Sequence, residues 1–229
     1  MKAARMLAAK FGIKAGAQLT LEKNLPPASG IGGGSADAAA AIRALCRLWR
    51  ISSSRPELAE IALGLGADVP VCLAGRAAIM QGVGETLSPP PPLPTAHVLL
   101  VNPGQAVSTP AVFKARRGDF SKPAAFPALM PDAGALAAAL KALGNDLQTP
   151  AIELAPRIGD VLEAIGRTPG VLLARMSGSG GTCFGLFAQP SAAADAAQAL
   201  AEAHPNWWVR AAPLLPSDAA HPGLPSADG

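Results

Sequence analysis

Apolar positions recur along this chain with two periods, and they divide it into short helices and strands. MKAARMLAAKF at the start reads as a helix, and AQLTLEK, Ala17 to Lys23, alternates as a half-buried strand does. A second helix is expected from Ser35 to about Arg50, with Ile42, Leu45, Cys46 and Trp49 on one face and Arg43, Arg47 and Arg50 on another. PELAEIALGLGADVPVCLAG predicts a helix opened by Pro56 and Glu57 that stops near Gly64 to Gly66. The apolar run Val69 to Ala74 follows, which leaves Asp68 in a turn.

The prolines from Pro89 to Pro94 form a stiff connector, after which HVLLVNPG reads as a buried strand. The segment from Ser121 to Pro131 is again proline-rich. Helices are expected at Ala133 to Leu143 and Thr149 to Ile165, then two apolar strands in GVLLARMSGSGGTCFGLFA around a glycine loop, Ser177 to Gly181. Ser191 is placed to cap an alanine-rich helix, and WWVRAAPLL returns as a strand. The class is α+β. One domain is expected over residues 1–94 and a second over 95–216, with a frayed tail over 217–229.

Composition narrows the functions open to such a chain. Half of its 229 residues are hydrophobic, enough for one substantial core or two small ones. Nineteen Lys and Arg against sixteen Asp and Glu leave +3, scattered rather than clustered, so nucleic acid is not an evident partner. Cys46, Cys72 and Cys183 are far apart and outside any CxxC spacing, which reads as buried free thiols rather than disulfides or a zinc site. No run approaches the roughly 18 apolar residues of a membrane span, and the N-terminus has no secretory pattern. A cytoplasmic protein without membrane contact is expected.

The candidate chemistry sits where glycines meet a helix, in LPPASGIGGGSADAAAAIRAL. Gly30, Gly32, Gly33 and Gly34 let a ligand approach main-chain N–H groups closely, and Ser35 and Ala36 then begin the helix. The first N–H groups of a helix have no internal partner and lie at the positive end of its dipole, so the stretch reads as a phosphate cradle. Neither GxGxxG nor a P-loop fits, because Ser35 stands where the third glycine would and no Lys precedes it. A glycine-rich connection with no ligand is the plainer alternative. Asp68, in a glycine-flanked turn, reads either as a site carboxylate or as a helix-end cap.

LPPASGIGGGSADAAAAI resembles the ATP loop of the galactokinase, homoserine kinase, mevalonate kinase and phosphomevalonate kinase (GHMP) superfamily. With LGLGADVPVCLAGRAAIMQGVGE from Leu63, NDL at Asn145 to Leu147 and MSGSGGTCFGLF from Met176, the resemblance runs in order along most of the chain. It implies a two-lobed fold whose second lobe is a ferredoxin-like α/β sandwich. It also implies transfer of the γ-phosphoryl of ATP, with Mg²⁺, to a small molecule. The branch resembled acts on the 2-hydroxyl of 4-diphosphocytidyl-2-C-methyl-D-erythritol, in non-mevalonate isoprenoid synthesis.

Residue by residue, the resemblance makes Asp68 the catalytic base and Pro26, Pro27, Ala28, Ser29, Gly30, Ile31, Gly32, Gly33, Gly34, Ser35 and Ala36 the phosphate loop. Ser35 would contact phosphate or Mg²⁺. Gly178, Ser179 and Gly180 match a glycine turn that closes over the site. A homodimer is the assembly carried with the resemblance.

The pattern departs from the family in two places. Ala36 and Asp37 stand where members often carry Ser and Asn. The strands with a Lys-Asn motif and a Tyr-His pair that open the family's first lobe have no counterpart, and the chain has no tyrosine. Lys2, Lys10, Lys14 and Lys23 stand in no such motif, Lys23 reading as a solvated strand end. The first lobe is therefore expected to be incomplete, through a misassigned start, a fragment or a decayed copy, with poor solubility or weak activity. Another kinase of the superfamily and a nucleotide-binding remnant without catalysis stay open as alternatives. A serine hydrolase does not fit, since no G-x-S-x-G occurs and His97, His204 and His221 lie in ordinary contexts.

Overall fold

A computed structural model describes residues 1–27, 29–52, 54–122 and 125–215. The expected tail over 217–229 lies outside the described residues. The described residues form two compact units, one from Met1–Asn24 with Gly32–Pro90, the other from Leu25–Ile31 with Pro91–Pro216.

The first unit is mostly helical. Helices α1 (Lys2–Phe11), α2 (Gly33–Trp49), α3 (Glu57–Leu65) and α4 (Val69–Ala74) precede a small hairpin, β1 (Ile79–Gln81) with β2 (Thr86–Ser88). Alanine favours the helix in α2, and its apolar stripe behaves as the spacing predicts: Ile42, Leu45 and Cys46 are buried with Leu7 of α1 and Leu58 and Ile61 of α3. Burying side chains of that size contributes about 1.5–3 kcal/mol each. Arg50 ends α2 in a left-handed conformation, φ 54°, as Ile51 donates its N–H back to the Cys46 carbonyl.

Ala17 to Lys23 does not form the expected strand. The segment is exposed and without strand structure. An alternating pattern makes a strand only where a neighbour completes its hydrogen-bond ladder, and no described strand pairs with it.

The second unit is built on a four-stranded antiparallel sheet. In chain order it holds β3 (His97–Asn102), α5 (Thr109–Ala115), α6 (Ala133–Leu143), α7 (Gln148–Leu154), α8 (Arg157–Gly166), β4 (Val171–Met176), β5 (Cys183–Phe187), α9 (Pro190–Ala203) and β6 (Trp208–Pro213). The strand order β4-β5-β3-β6 is that of a ferredoxin-like βαββαβ sheet. Alternation along the strands fills two cores. Leu99, Val101, Cys183 and Phe187 pack with Ile158, Val161 and Ile165 of α8 and with Ala193, Ala196 and Leu200 of α9. On the other core, Leu173 and Leu186 pack with Leu136 and Ala137 of α6.

Two expectations for this unit change. The helix expected from Thr149 to Ile165 is two, because Pro156 has no N–H to donate and pushes Ala155 out of the helical region, to φ −142° and ψ 80°. Helix α9 starts at Pro190 with Gln189 as its cap position, so Ser191 lies inside the first turn and does not cap. Real side-chain caps occur at Ser108, which accepts from the Ala111 N–H, and at Asp132, which accepts from the Ala135 N–H at 2.8 Å.

Candidate active site

The first glycine loop has two kinds of glycine. Gly30 and Gly32 hold left-handed backbone, φ 74° and 71°, whereas Gly33 and Gly34 are already the first residues of α2. The first helical hydrogen bond runs from the Ala36 N–H to the Gly32 carbonyl at 2.8 Å, so the N–H groups of Gly33, Gly34 and Ser35 precede the helical ladder. A methyl group at Gly32 or Gly34 would meet no atom within 4 Å, so there is open space where a Cβ of either residue would lie. Ser35 is half-buried in this first turn and Ala36 is exposed beside it. Asp37 accepts an ion pair from Lys23 at 2.6 Å, so Lys23 is held rather than free in solvent.

Upstream of Gly30, Pro26 is half-buried, Pro27 exposed and Ser29 buried, and Ala28 lies outside the described residues. Gly30 and Ile31 belong to the second unit, and there Gly30 meets the second glycine loop. A Cβ on Gly30 would come within 1.9 Å of the Gly180 carbonyl oxygen, so only glycine permits the approach. The Ser177 hydroxyl donates to the Gly30 carbonyl at 3.1 Å.

The second loop is a tight turn closed by the Ser177 N–H to the Thr182 carbonyl, 2.9 Å, and by the Gly180 N–H to the Ser177 carbonyl, 3.0 Å. Gly178, Gly180 and Gly181 all have positive φ. Asn145 fixes the turn from outside: its amide group donates to the carbonyls of Met176 and Gly178 at 3.0 and 2.9 Å, and its oxygen accepts from the Leu147 N–H at 3.0 Å. Ser179 shares a hydroxyl hydrogen bond with Thr109, 2.7 Å, at the start of α5. Beside Asn145, between α5 and α7, lies an open cleft of about 380 Å³ with Arg116, Arg117, Asp146 and Glu153 in its walls. It includes neither glycine loop nor Asp68.

Asp68 occupies the cap position of α4 yet does not cap it, since its side chain accepts no hydrogen bond from the helix. Its carboxylate is exposed at the turn. The turn is closely packed: Gly84, φ 96°, lies so near that a Cβ there would be 2.3 Å from the Ala67 carbonyl oxygen. Asp68 also acts on its surroundings. The Cys72 thiol is pushed up by burial and by the Asp68 charge one helical turn away, while the Arg43 guanidinium pulls it the other way.

The two glycine loops are therefore in contact at Gly30, and Asp68 stands in the same unit as Gly33, Gly34 and Ser35, on a helix packed against α2. Three contributors carried no expected role: Asn145, Ser177 and Gly84. Each lies inside one of the quoted motifs, but its partner is distant in sequence.

Residues 1–76 match the GHMP kinases N terminal domain and residues 125–206 the GHMP kinases C terminal domain. The 4-diphosphocytidyl-2-C-methyl-D-erythritol kinase of Paramagnetospirillum magneticum is 54% identical over 217 residues, covering 94% of this chain and 75% of that protein. The enzyme of the same name from Rhodospirillum rubrum is 52% identical over 222 residues, 97% of this chain and 73% of that one. A crystal structure of 4-(cytidine 5'-diphospho)-2C-methyl-D-erythritol kinase superposes with a TM-score of 0.72 at 36% identity, covering 92% of this chain and 76% of its own. Homoserine kinase from Cytophaga hutchinsonii shares the fold, with a TM-score of 0.67 at 19% identity over 94% of this chain and 75% of its own. With more than half of its residues identical to those enzymes over nearly its whole length, the chain belongs to the 4-diphosphocytidyl-2-C-methyl-D-erythritol kinase family of the GHMP kinases.

Proposed function

We propose that this chain transfers the γ-phosphoryl group of ATP to the tertiary 2-hydroxyl of 4-diphosphocytidyl-2-C-methyl-D-erythritol. The observation that carries the reading is the helix N-terminus behind Gly32: among the described residues the N–H groups of Gly33, Gly34 and Ser35 have no backbone partner, and a Cβ at Gly32 or Gly34 would meet no atom within 4 Å. Such a terminus stabilises phosphate through both its N–H groups and its dipole.

In this reading Pro26 to Ala36 hold the ATP phosphates, and Gly178, Ser179 and Gly180 contribute to nucleotide binding. Asp68 accepts the proton of the substrate hydroxyl as its oxygen bonds to the γ-phosphorus and the bond from that phosphorus to ADP breaks. An exposed carboxylate free of capping duty supports that role, and positioning is most of what phosphoryl transfer asks of a protein. Mg²⁺ would neutralise phosphate charge when bound. The Ser35 hydroxyl is a hard oxygen donor suited to it, since Mg²⁺ is commonly held by few protein oxygens together with substrate phosphates and waters.

The cellular setting that goes with this reading is the cytoplasm, supported by three free thiols and by ATP as co-substrate. Among the described residues no helix is long and apolar enough to cross a membrane. The assembly proposed with it is a homodimer, which light scattering tests.

The deciding experiment follows ADP release and product formation with 4-diphosphocytidyl-2-C-methyl-D-erythritol, homoserine and mevalonate as alternative acceptors. Phosphorylation of the first alone is expected. Transfer to another acceptor would reassign the substrate, and ATP binding without transfer to any would leave a nucleotide-binding module.

A further inference from the structure

Arg43 lies on the phosphate-loop helix, ten positions after Gly33, or about 15 Å along the axis. It is half-buried, and among the described residues it makes no ion pair. Its guanidinium instead donates to the Cys72 carbonyl at 3.0 Å. That carbonyl belongs to the last turn of α4, where helical carbonyls lack donors of their own and where the dipole favours a cation. The Val71 carbonyl finds the Gly75 N–H at 3.0 Å, and the Cys72 carbonyl has Arg43.

α4 has six residues, too few to hold a helix without tertiary contacts. Val69 anchors its start in the core of the first unit. The Cys72 N–H donates to the Asp68 carbonyl at 3.2 Å, so the turn that opens at Asp68 closes on the residue that Arg43 grips. A continuous chain of bonds thus runs from α2 through Arg43 and Cys72 to the backbone of Asp68. Gly84 packs closely on the same turn at Ala67.

We propose that Arg43 is a positioning residue: by capping α4 from α2, it holds the Asp68 carboxylate in register with the phosphate donors at the start of α2. This rests on the assignment of Asp68 as the base. Arg43 acts through the Cys72 carbonyl that its guanidinium holds. Its removal moves the base relative to the bound phosphates while leaving the phosphate donors in place.

The test compares the whole chain with Arg43→Met, which keeps the apolar stem, Arg43→Lys, which keeps a cation and a donor, and Asp68→Asn. Arg43→Met is expected to lower kcat by about tenfold to a hundredfold, the loss that a displacement of about 1 Å can cause, with KM for ATP within about threefold. Arg43→Lys is expected to restore kcat to within about threefold of the parent protein, which also guards against a mere folding defect. Hydrogen exchange at the amides of Val71 to Gly75 is expected to quicken about tenfold in Arg43→Met and to recover in Arg43→Lys, a readout that needs no turnover.

A kcat for Arg43→Met within twofold of the parent, a lysine variant no better than the methionine one, or unchanged exchange in α4 would each overturn the proposal. Asp68→Asn separates the two ideas. Normal turnover there removes the base assignment and this inference with it, whereas a dead Asp68→Asn beside an unimpaired Arg43→Met removes only the positioning role.

Discussion

The Ser177 hydroxyl donates to the Gly30 carbonyl at 3.1 Å, joining two glycine loops separated by 147 positions of sequence. The approach is possible because Gly30 lacks a side chain, a Cβ there falling 1.9 Å from the Gly180 carbonyl oxygen, and it makes the shape of each loop depend on the other.

Alanine substitutions in the first loop should therefore act in opposite directions. Gly30→Ala puts a Cβ against the Gly180 backbone at a positive φ, and should cost about 1–3 kcal/mol by overpacking, with a higher KM for ATP. Gly34→Ala meets no atom and sits in helix, so it should raise stability by up to about 1 kcal/mol. If ATP phosphates occupy that space, the same variant binds ATP more weakly. Thermal melts and KM measured side by side check both.

Asn145→Asp keeps the shape but removes both donors and sets a carboxylate against the carbonyls of Met176 and Gly178. A loss of about 1–3 kcal/mol is expected, read as a lower midpoint in urea, together with a higher KM for ATP.

Gly84→Ala should disturb turnover more than nucleotide binding, since the added methyl meets the Ala67 backbone beside Asp68. Gly82→Ala is the matched comparison. It also has positive φ, but its obstacle is the Glu85 side chain, which can move. A larger fall in kcat for Gly84→Ala, with similar KM for ATP, is the expected result.

Asp68→Asn should leave stability within about 0.5 kcal/mol, because the carboxylate is exposed and caps nothing. It should lower kcat by about 10²- to 10⁴-fold. A melting curve and a single-turnover assay measure the two halves.

Cys183 gives the chain a sensitivity to alkali. Burial pushes its thiol from an ordinary 9.0 to about 12. The folded state keeps this proton where the unfolded state gives it up, so the unfolded state binds fewer protons between those values. Stability is then fully present below about pH 9 and declines as pH rises toward 12, by at most about 1.4 kcal/mol per unit. Cys183→Ala should flatten that decline in urea midpoints measured at alkaline pH.

Elements with a long, clean period were legible in the sequence: α2 through Ile42, Leu45 and Cys46, and the paired strands around Ser177 to Gly181 through their apolar alternation. The conformation of the glycine loop and the helix start behind it were legible for a related reason, since positive φ at Gly30 and Gly32 and a helix start at Gly33 are local properties. What escaped depends on neighbours remote in sequence. Ala17 to Lys23 alternates correctly but has no paired strand, and the short hairpin of Ile79–Gln81 with Thr86–Ser88 offers too few residues for a period. Pro156 was a local signal of a helix break that the surrounding apolar period masked. The roles of Asn145, Ser177 and Gly84 follow from where Met176, Gly30 and Ala67 come to lie, and spacing along the chain does not encode that.

The position of β3 has a consequence for how the chain is made. This strand is interior to its sheet, paired with β5 on one side and β6 on the other, yet it precedes both in the sequence. During synthesis His97–Asn102 leaves the ribosome long before Cys183–Phe187 and Trp208–Pro213 exist. Its backbone groups and the apolar faces of Leu99 and Val101 must wait for the last strand of the unit. Closure is thus a late, long-range event of the kind that slows folding and exposes a chain to aggregation, and this unit becomes safe only as its final strand arrives.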